Sequence, residues 1–164
     1  MVETYSSTGI ERLYHWTCSR LMMSCQFCSI ARGSLPAQVL YESDLAMSFL
    51  DHRPIAKGHA LVISKKHFGD LYDIDDKTLY EVLRIAQIVS VRINEIYRPL
   101  GINLVQNNGY YAGQTVFHFH IHIIPRYDGE YNKMLITAAK RRVKIDESDL
   151  EPIASEIRSA LKSK

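Results

Sequence analysis

Three of the seven histidines in this 164-residue chain fall within five residues. Val116-Phe-His118-Phe-His120-Ile-His122-Ile-Ile124 alternates polar and apolar residues with period two. Residues two apart in a strand share a face, so the spacing predicts His118, His120 and His122 side by side, with Phe117, Phe119, Ile121 and Ile123 opposite. Such a row is compatible with three chemistries. It could be a solvated polar face, although Ser, Thr or Lys would serve there equally well. A His-x-His strand with a distant third histidine could hold a catalytic zinc. One imidazole could instead be a nucleophile, with its neighbours orienting it and handling protons. The preceding loop, Asn107-Asn-Gly-Tyr-Tyr-Ala-Gly113-Gln114-Thr115, favours the nucleophile. Its two glycines let backbone N–H groups line a concave anion site, and its amides and hydroxyl add donors for phosphate oxygens. A second motif, Cys25-x-x-Cys28, is by itself redox-active or structural. No strand precedes it, which argues against a thioredoxin-like role, and a metal would need two further ligands.

The rest of the chain bounds what these residues can belong to. Its length suits one compact domain, and 46% hydrophobic with 23% charged residues is ordinary globular composition. A net charge of +2 argues against a dedicated polyanion-binding surface, and three cysteines rule out a disulfide scaffold. The longest nearly uncharged run, Trp16 to Ile30, is interrupted by Arg20 and several polar residues, so no membrane span is expected. Residues 1–22 lack an apolar period and the features of a secretory signal. They read as a loosely ordered extension, with Met22 or Met23 an alternative start, ahead of a domain over residues 23–164. That domain reads as mixed α/β.

A short helical turn over Cys25–Cys28 should stop near Gly33 and Pro36. Strands are predicted over 37–42 and 45–51, split by a hairpin turn, then over 58–64, 101–106 and 116–124, with Pro125 as the stop. Leu79, Val82, Leu83, Ala86, Val89, Ile93 and Tyr97 recur at helical spacing behind N-cap candidates at Asp73 to Asp76. A terminal helix is predicted from Ser148, where Ser-Asp-Leu-Glu151 has capping-box form.

His118-Phe-His120-Ile-His122-Ile-Ile124 resembles the His-φ-His-φ-His-φ-φ signature of the histidine triad (HIT) superfamily. Gly113-Gln-Thr-Val-Phe, Gly58-His-Ala-Leu-Val-Ile-Ser-Lys-Lys-His67 and Phe49-Leu-Asp51 resemble that family in the same order, from about Cys25 to Arg126. The resemblance implies an α+β fold, a five-stranded antiparallel sheet with two main helices, usually paired as a homodimer. It implies transfer or hydrolysis at the α-phosphate of a nucleotide conjugate through a covalent nucleotidyl-histidine on His120. His122 would contact the phosphate and help protonate the leaving group, and His59 would pack behind the nucleophile. Asn107, Gln114 and Thr115 would hold the phosphate, Asp51 the ribose hydroxyls, and Phe27, Ile30, Phe49 and Leu61 the base. Each of these last four reads equally well as ordinary core. A branch of the family carrying the cysteine pair binds structural zinc, which here implies the ligands Cys25, Cys28, His67 and His118. Four protein ligands leave no open position, so no catalytic metal is expected.

The implied substrate is a purine nucleotide conjugate such as an adenosine phosphoramidate. A dinucleoside polyphosphate is the alternative, as is a nucleotide sensor with little turnover. His-Ile-His, without a proline between, departs from the hexose-phosphate uridylyltransferase branch, and no basic extension or added zinc finger suggests the DNA-repair branch. The implied location is the cytoplasm. His15, Cys18 and His52 have no assigned role, and Lys140-Arg-Arg-Val-Lys144 reads first as a solvated face.

Overall fold

A computed structural model describes residues 25–127 and 147–162. The expectations for the 1–22 extension, His15, Cys18 and the 140–144 basic run lie outside the described residues. Helix α1, Gln26–Ala31, starts at the non-helical Cys25. Strands β1 (Val39–Glu42) and β2 (Ala46–Leu50) form the expected hairpin, with the Ser43 N–H donating to the Ala46 carbonyl. They are followed by β3 (Ala60–Ser64), helix α2 (Asp76–Tyr97), β4 (Gly101–Val105), a 3-10 turn (Tyr110–Ala112), β5 (His120–Arg126) and helix α3 (Glu147–Lys162). The five strands form one antiparallel sheet in the order β1-β2-β3-β5-β4, which confirms the α+β architecture.

The sheet's two faces hold different things. Alternation places Ala46, Leu50, Ala60, Val62, Ile121 and Ile123 on one face, under Val82, Ile85, Ala86, Val89 and Ile93 of α2 and Ile153, Ala154 and Ile157 of α3. Asp75 caps α2 by accepting the Thr78 N–H at 2.8 Å, within the Asp73–Asp76 span marked by the sequence. The opposite face carries Met47, Phe49, Leu61 and Ile63, covered by Phe27 of α1. His120 and His122 pair with Ile63 and Leu61, so they stand on this second face. The functional side chains therefore lie on the face away from the two long helices.

Several boundaries differ from the sequence reading. The expected strand over 116–124 begins only at His120, because the His118 N–H folds back to the Val116 carbonyl and the Phe119 N–H goes to the Phe68 carbonyl. Phe117 consequently does not join the core; it is 50% exposed. Pro125 does not stop the strand. It lies beyond Ala60, the last β3 residue paired with β5, so β5 has one neighbour there and tolerates a residue without an amide hydrogen. The terminal helix starts at Glu147, which puts Ser148 inside its first turn rather than at the cap. Leu83 is on the solvent side of α2 despite its helical spacing.

Candidate active site and metal centre

The break before β5 sends the first histidine of the row to a different place from the other two. His118 is fully buried, and its Nε2–H donates to the Ser64 carbonyl at 2.7 Å. That bond leaves Nδ1 with its lone pair, 3.5 Å from both Cys25 Sγ and Cys28 Sγ. His67 Nδ1 lies 3.3 Å from Cys28 Sγ, and the four donor atoms all fall within 4.8 Å of one another. Two sulfurs and two imidazole nitrogens at about 2.3 and 2.0 Å from a tetrahedral centre would stand about 3.5 Å apart. The S···N separations here match that edge. The chemistry of the donor set also fits, since soft thiolates and neutral imidazoles with a fixed tautomer suit zinc.

His120 and His122 stay together, with ring centroids 5.0 Å apart. His120 is 4% exposed, wedged against the Phe27 ring at 5.2 Å. Its Nδ1–H donates to the His118 carbonyl at 2.6 Å, so its proton is held there and Nε2 carries the free lone pair. His122 takes the opposite tautomer. The Ile55 N–H donates to His59 Nδ1 at 3.3 Å, which places the His59 proton on Nε2. His59 Nε2–H in turn donates to His122 Nδ1 at 3.0 Å, leaving the His122 proton on Nε2. Two neighbouring imidazoles are thus set up as a lone-pair donor and a proton donor, each fixed by backbone groups.

Here the structure corrects the role expected for His59. The contact its imidazole makes is with His122, which it orients, rather than a place behind His120. Asp51 Oδ2 completes the group, 3.6 Å from His59 Nε2 and 3.9 Å from His122 Nδ1. Asp51, His59 and His122 are close enough to resemble a second metal cluster. They do not fit one, because the Ile55 N–H occupies His59 Nδ1 and the nitrogen facing the group is the protonated one. His52, beside Asp51, is a largely exposed side chain 3.7 Å from Asp51 Oδ1.

The loop before β5 also divides its labour differently from the expectation. Gln114 is 1% exposed, and its side chain is wholly engaged with backbone groups of the loop and of the segment after β3. Its Oε1 accepts the Gly109 N–H at 2.7 Å, and its Nε2 donates to the carbonyls of Gly69 (2.6 Å) and Val116 (3.2 Å). No side-chain donor remains for a phosphate, so Gln114 braces the loop instead. Gly109 and Gly113, at φ of 84° and 88°, supply the left-handed turns on either side of the 3-10 turn. Thr115 is exposed, and neither its hydroxyl nor the Asn107 side chain bonds to another described residue. Both remain available to a ligand. Phe27, Phe49 and Leu61 gather into one buried cluster, with Ile30 packed against it, beside His120.

Burial holds all these imidazoles below the ordinary histidine range. For His122, burial and then the neighbouring His120 and His59 lower the pKa to about 4. Each ring is therefore neutral near pH 7. In the unfolded chain His122 would protonate near pH 6.5, while the folded protein resists this until about pH 4. The unfolded state binds more protons across that window, so this stability is present above pH 6.5 and lost as pH falls toward 4. Urea titrations of wild type and His122→Gln should show the wild type alone losing roughly 2–3 kcal/mol over that span through this group. Equal pH slopes in the two proteins would contradict the neutral, buried state.

Comparison with known proteins places this geometry. The HIT domain pattern matches residues 32–129, more than half of the chain. The adenosine 5'-monophosphoramidase of Schizosaccharomyces pombe is 41% identical over 109 residues, covering 66% of this chain and 79% of that protein. The crystal structure of a Zn-bound histidine triad family protein from Mycobacterium smegmatis superposes with a TM-score of 0.71 at 36% identity, covering 85% of this chain and 94% of that one. A hypothetical histidine triad nucleotide-binding protein from Sulfolobus tokodaii gives a TM-score of 0.73 at 33% identity, over 84% of this chain and 92% of its own. With the divided histidine row, the fold and the matched pattern in agreement, this chain belongs to the HIT domain family.

Proposed function

We propose that this protein hydrolyses purine nucleoside phosphoramidates at the α-phosphate, through a covalent nucleotidyl-histidine on His120. The observation that carries this reading is the opposite tautomers of His120 and His122, fixed by the His118 carbonyl and by His59. His120 Nε2 attacks phosphorus and forms a P–N bond, while His122 Nε2–H gives its proton to the departing amine. Water then attacks the phosphorus, its proton returns to His122, and the P–N bond to His120 breaks. Asn107 and Thr115 hold the phosphate oxygens, Asp51 accepts from the ribose hydroxyls, and the base lies against Phe27, Ile30, Phe49 and Leu61.

An amine is a poor leaving group unless protonated, and the His59-backed proton on His122 answers that need. Dinucleoside polyphosphate hydrolysis is the second reading, supported by the same nucleophile. Cys25, Cys28, His67 and His118 would hold a structural zinc that ties α1 to the start of β5 and supplies no chemistry to the reaction. The homodimer implied by the family resemblance is part of the same proposal, and the β4 sheet edge with its exposed Leu104 supports it as a surface for a second copy.

A panel of adenosine and guanosine phosphoramidates and dinucleoside polyphosphates tests the proposal. The expected result is release of AMP or GMP from the phosphoramidates at rates at least tenfold above the polyphosphates. Faster cleavage of the polyphosphates would install the second reading. Tight AMP binding without turnover of any substrate would identify a sensor.

A further inference from the structure

β5 carries a third charged or titratable side chain on the histidine face. Residues two apart share a face, so Arg126 continues the row His120, His122, Ile124. Its Nε–H donates to Asn103 Oδ1 at 2.9 Å, and Asn103 pairs with Ile124 across the sheet. The guanidinium is thereby drawn back along the strand toward His122, whose own partner is Val105. The Asn103–Ile124 pair is two residues from the Val105–His122 pair, about 7 Å along the strand.

Three further features bear on what this arginine does. Arg126 is half-buried, and burial disfavours its charged form. Among the described residues no carboxylate lies within ion-pair distance of it, unlike Arg84 and Arg92, which pair with Glu81 and Glu95. Gly101 stands opposite Arg126 in the sheet, and a Cβ there would meet nothing within 4 Å, so the space beside the side chain is open. A half-buried, oriented guanidinium with no carboxylate partner and open space beside it among the described residues is a fork suited to an anion. Asp51 and the Phe27–Phe49 cluster lie toward β2, whereas Asn103 lies on β4 and draws the Arg126 side chain to that flank of β5, past His122.

We propose that Arg126, held by Asn103, is an anion subsite for the leaving-group side of the substrate, taking a carboxylate or a distal phosphate. The proposal rests on the nucleotide reading above. It makes the preferred substrates those whose departing half carries a negative charge a few bonds from the scissile phosphorus.

Two measurements with Arg126→Gln test it and distinguish the two sources of the anion. The first is calorimetric binding of AMP, ADP and ATP without added Mg²⁺. Wild type should bind ADP and ATP about tenfold or more tightly than AMP, the size of one charge-assisted contact. The variant should bind AMP as wild type does, with the three ligands within about twofold of one another. The second is hydrolysis of adenosine phosphoramidates of glycine and of glycinamide, which differ by one carboxylate. Wild type should show a KM about tenfold lower for glycine, and the variant should lose that difference. A charge preference at the phosphates alone identifies a polyphosphate, and at the carboxylate alone an amino acid conjugate; either supports the subsite.

An unchanged preference in Arg126→Gln, or an equal loss for AMP, ADP and ATP, overturns it. Wild type that binds no AMP would overturn the nucleotide reading itself, a result separable from failure of the subsite.

Discussion

His120→Asn is expected to abolish turnover, lowering kcat by a thousandfold or more, while AMP binds within a few-fold of wild type. The choice of asparagine follows from the geometry. Its side-chain amide reaches the position of the imidazole Nδ1, so it keeps a donor for the His118 carbonyl that now accepts at 2.6 Å. What it removes is Nε2, the atom assigned the attack. His120→Ala also removes Nε2, but it leaves a hole beside Phe27 and strips the His118 carbonyl of its partner. A loss of rate in alanine could therefore follow from disorder around His118. The asparagine variant separates the two effects, because its metal content and thermal unfolding should match wild type. Its defining readout is trapping: wild type quenched during turnover should carry a nucleotidyl group on His120, and the variant should carry none. Activity within tenfold of wild type in a folded His120→Asn protein would refute the nucleophile assignment.

Much of this arrangement is legible in the sequence, and the parts that are not share a cause. The five strands and α2 follow from apolar spacing, because one sheet face and one helix stripe must be buried together, and Ile121, Ile123, Val82 and Val89 are those residues. The Cys25, Cys28, His67 and His118 cluster came from family resemblance and is brought together as expected. Alternation could not reveal that His118 leaves the strand, since the residue types continue the pattern after the backbone has departed from it. Gln114 misled for a related reason. Its place among phosphate-binding residues says nothing of whether its amide faces outward, and the Gly109 N–H and the Gly69 and Val116 carbonyls claim it. The His59–His122 contact depends on the pairing of β3 with β5, a long-range register that local sequence does not carry. Arg126 has a faint signal, its even spacing from His122, but nothing local shows that it meets Asn103 or has no acidic partner among the described residues.

Removing a metal ligand should damage the fold before the chemistry. Cys28→Ser is expected to reduce zinc from one per chain to near background and to lower the melting temperature by about 10 °C. That figure corresponds to roughly 3–4 kcal/mol at this chain length. The magnitude follows from what the cluster joins. Cys25 and Cys28 flank the first turn of α1, His67 lies just beyond β3, and His118 sits two residues before the start of β5. A closed tetrahedral site would therefore cross-link three segments far apart in sequence, and α1 is only six residues long. Without that link, Phe27 loses the constraint that presses it on His120 and Phe49, so the damage should spread to the catalytic face. The expected kinetic signature is a raised KM together with a lowered kcat, unlike the pure kcat loss of His120→Asn. Serine keeps the volume and offers a hard, protonated hydroxyl where a thiolate is needed, so packing alone cannot account for the loss. Chelation of wild type should produce the same melting shift, and zinc should restore it. Wild type with no zinc above background after metal-replete expression would refute the site. If the chelated protein stays folded, it should show the same raised KM and lowered kcat as Cys28→Ser rather than a complete loss of turnover, because four protein ligands leave no position at which a metal could meet the substrate.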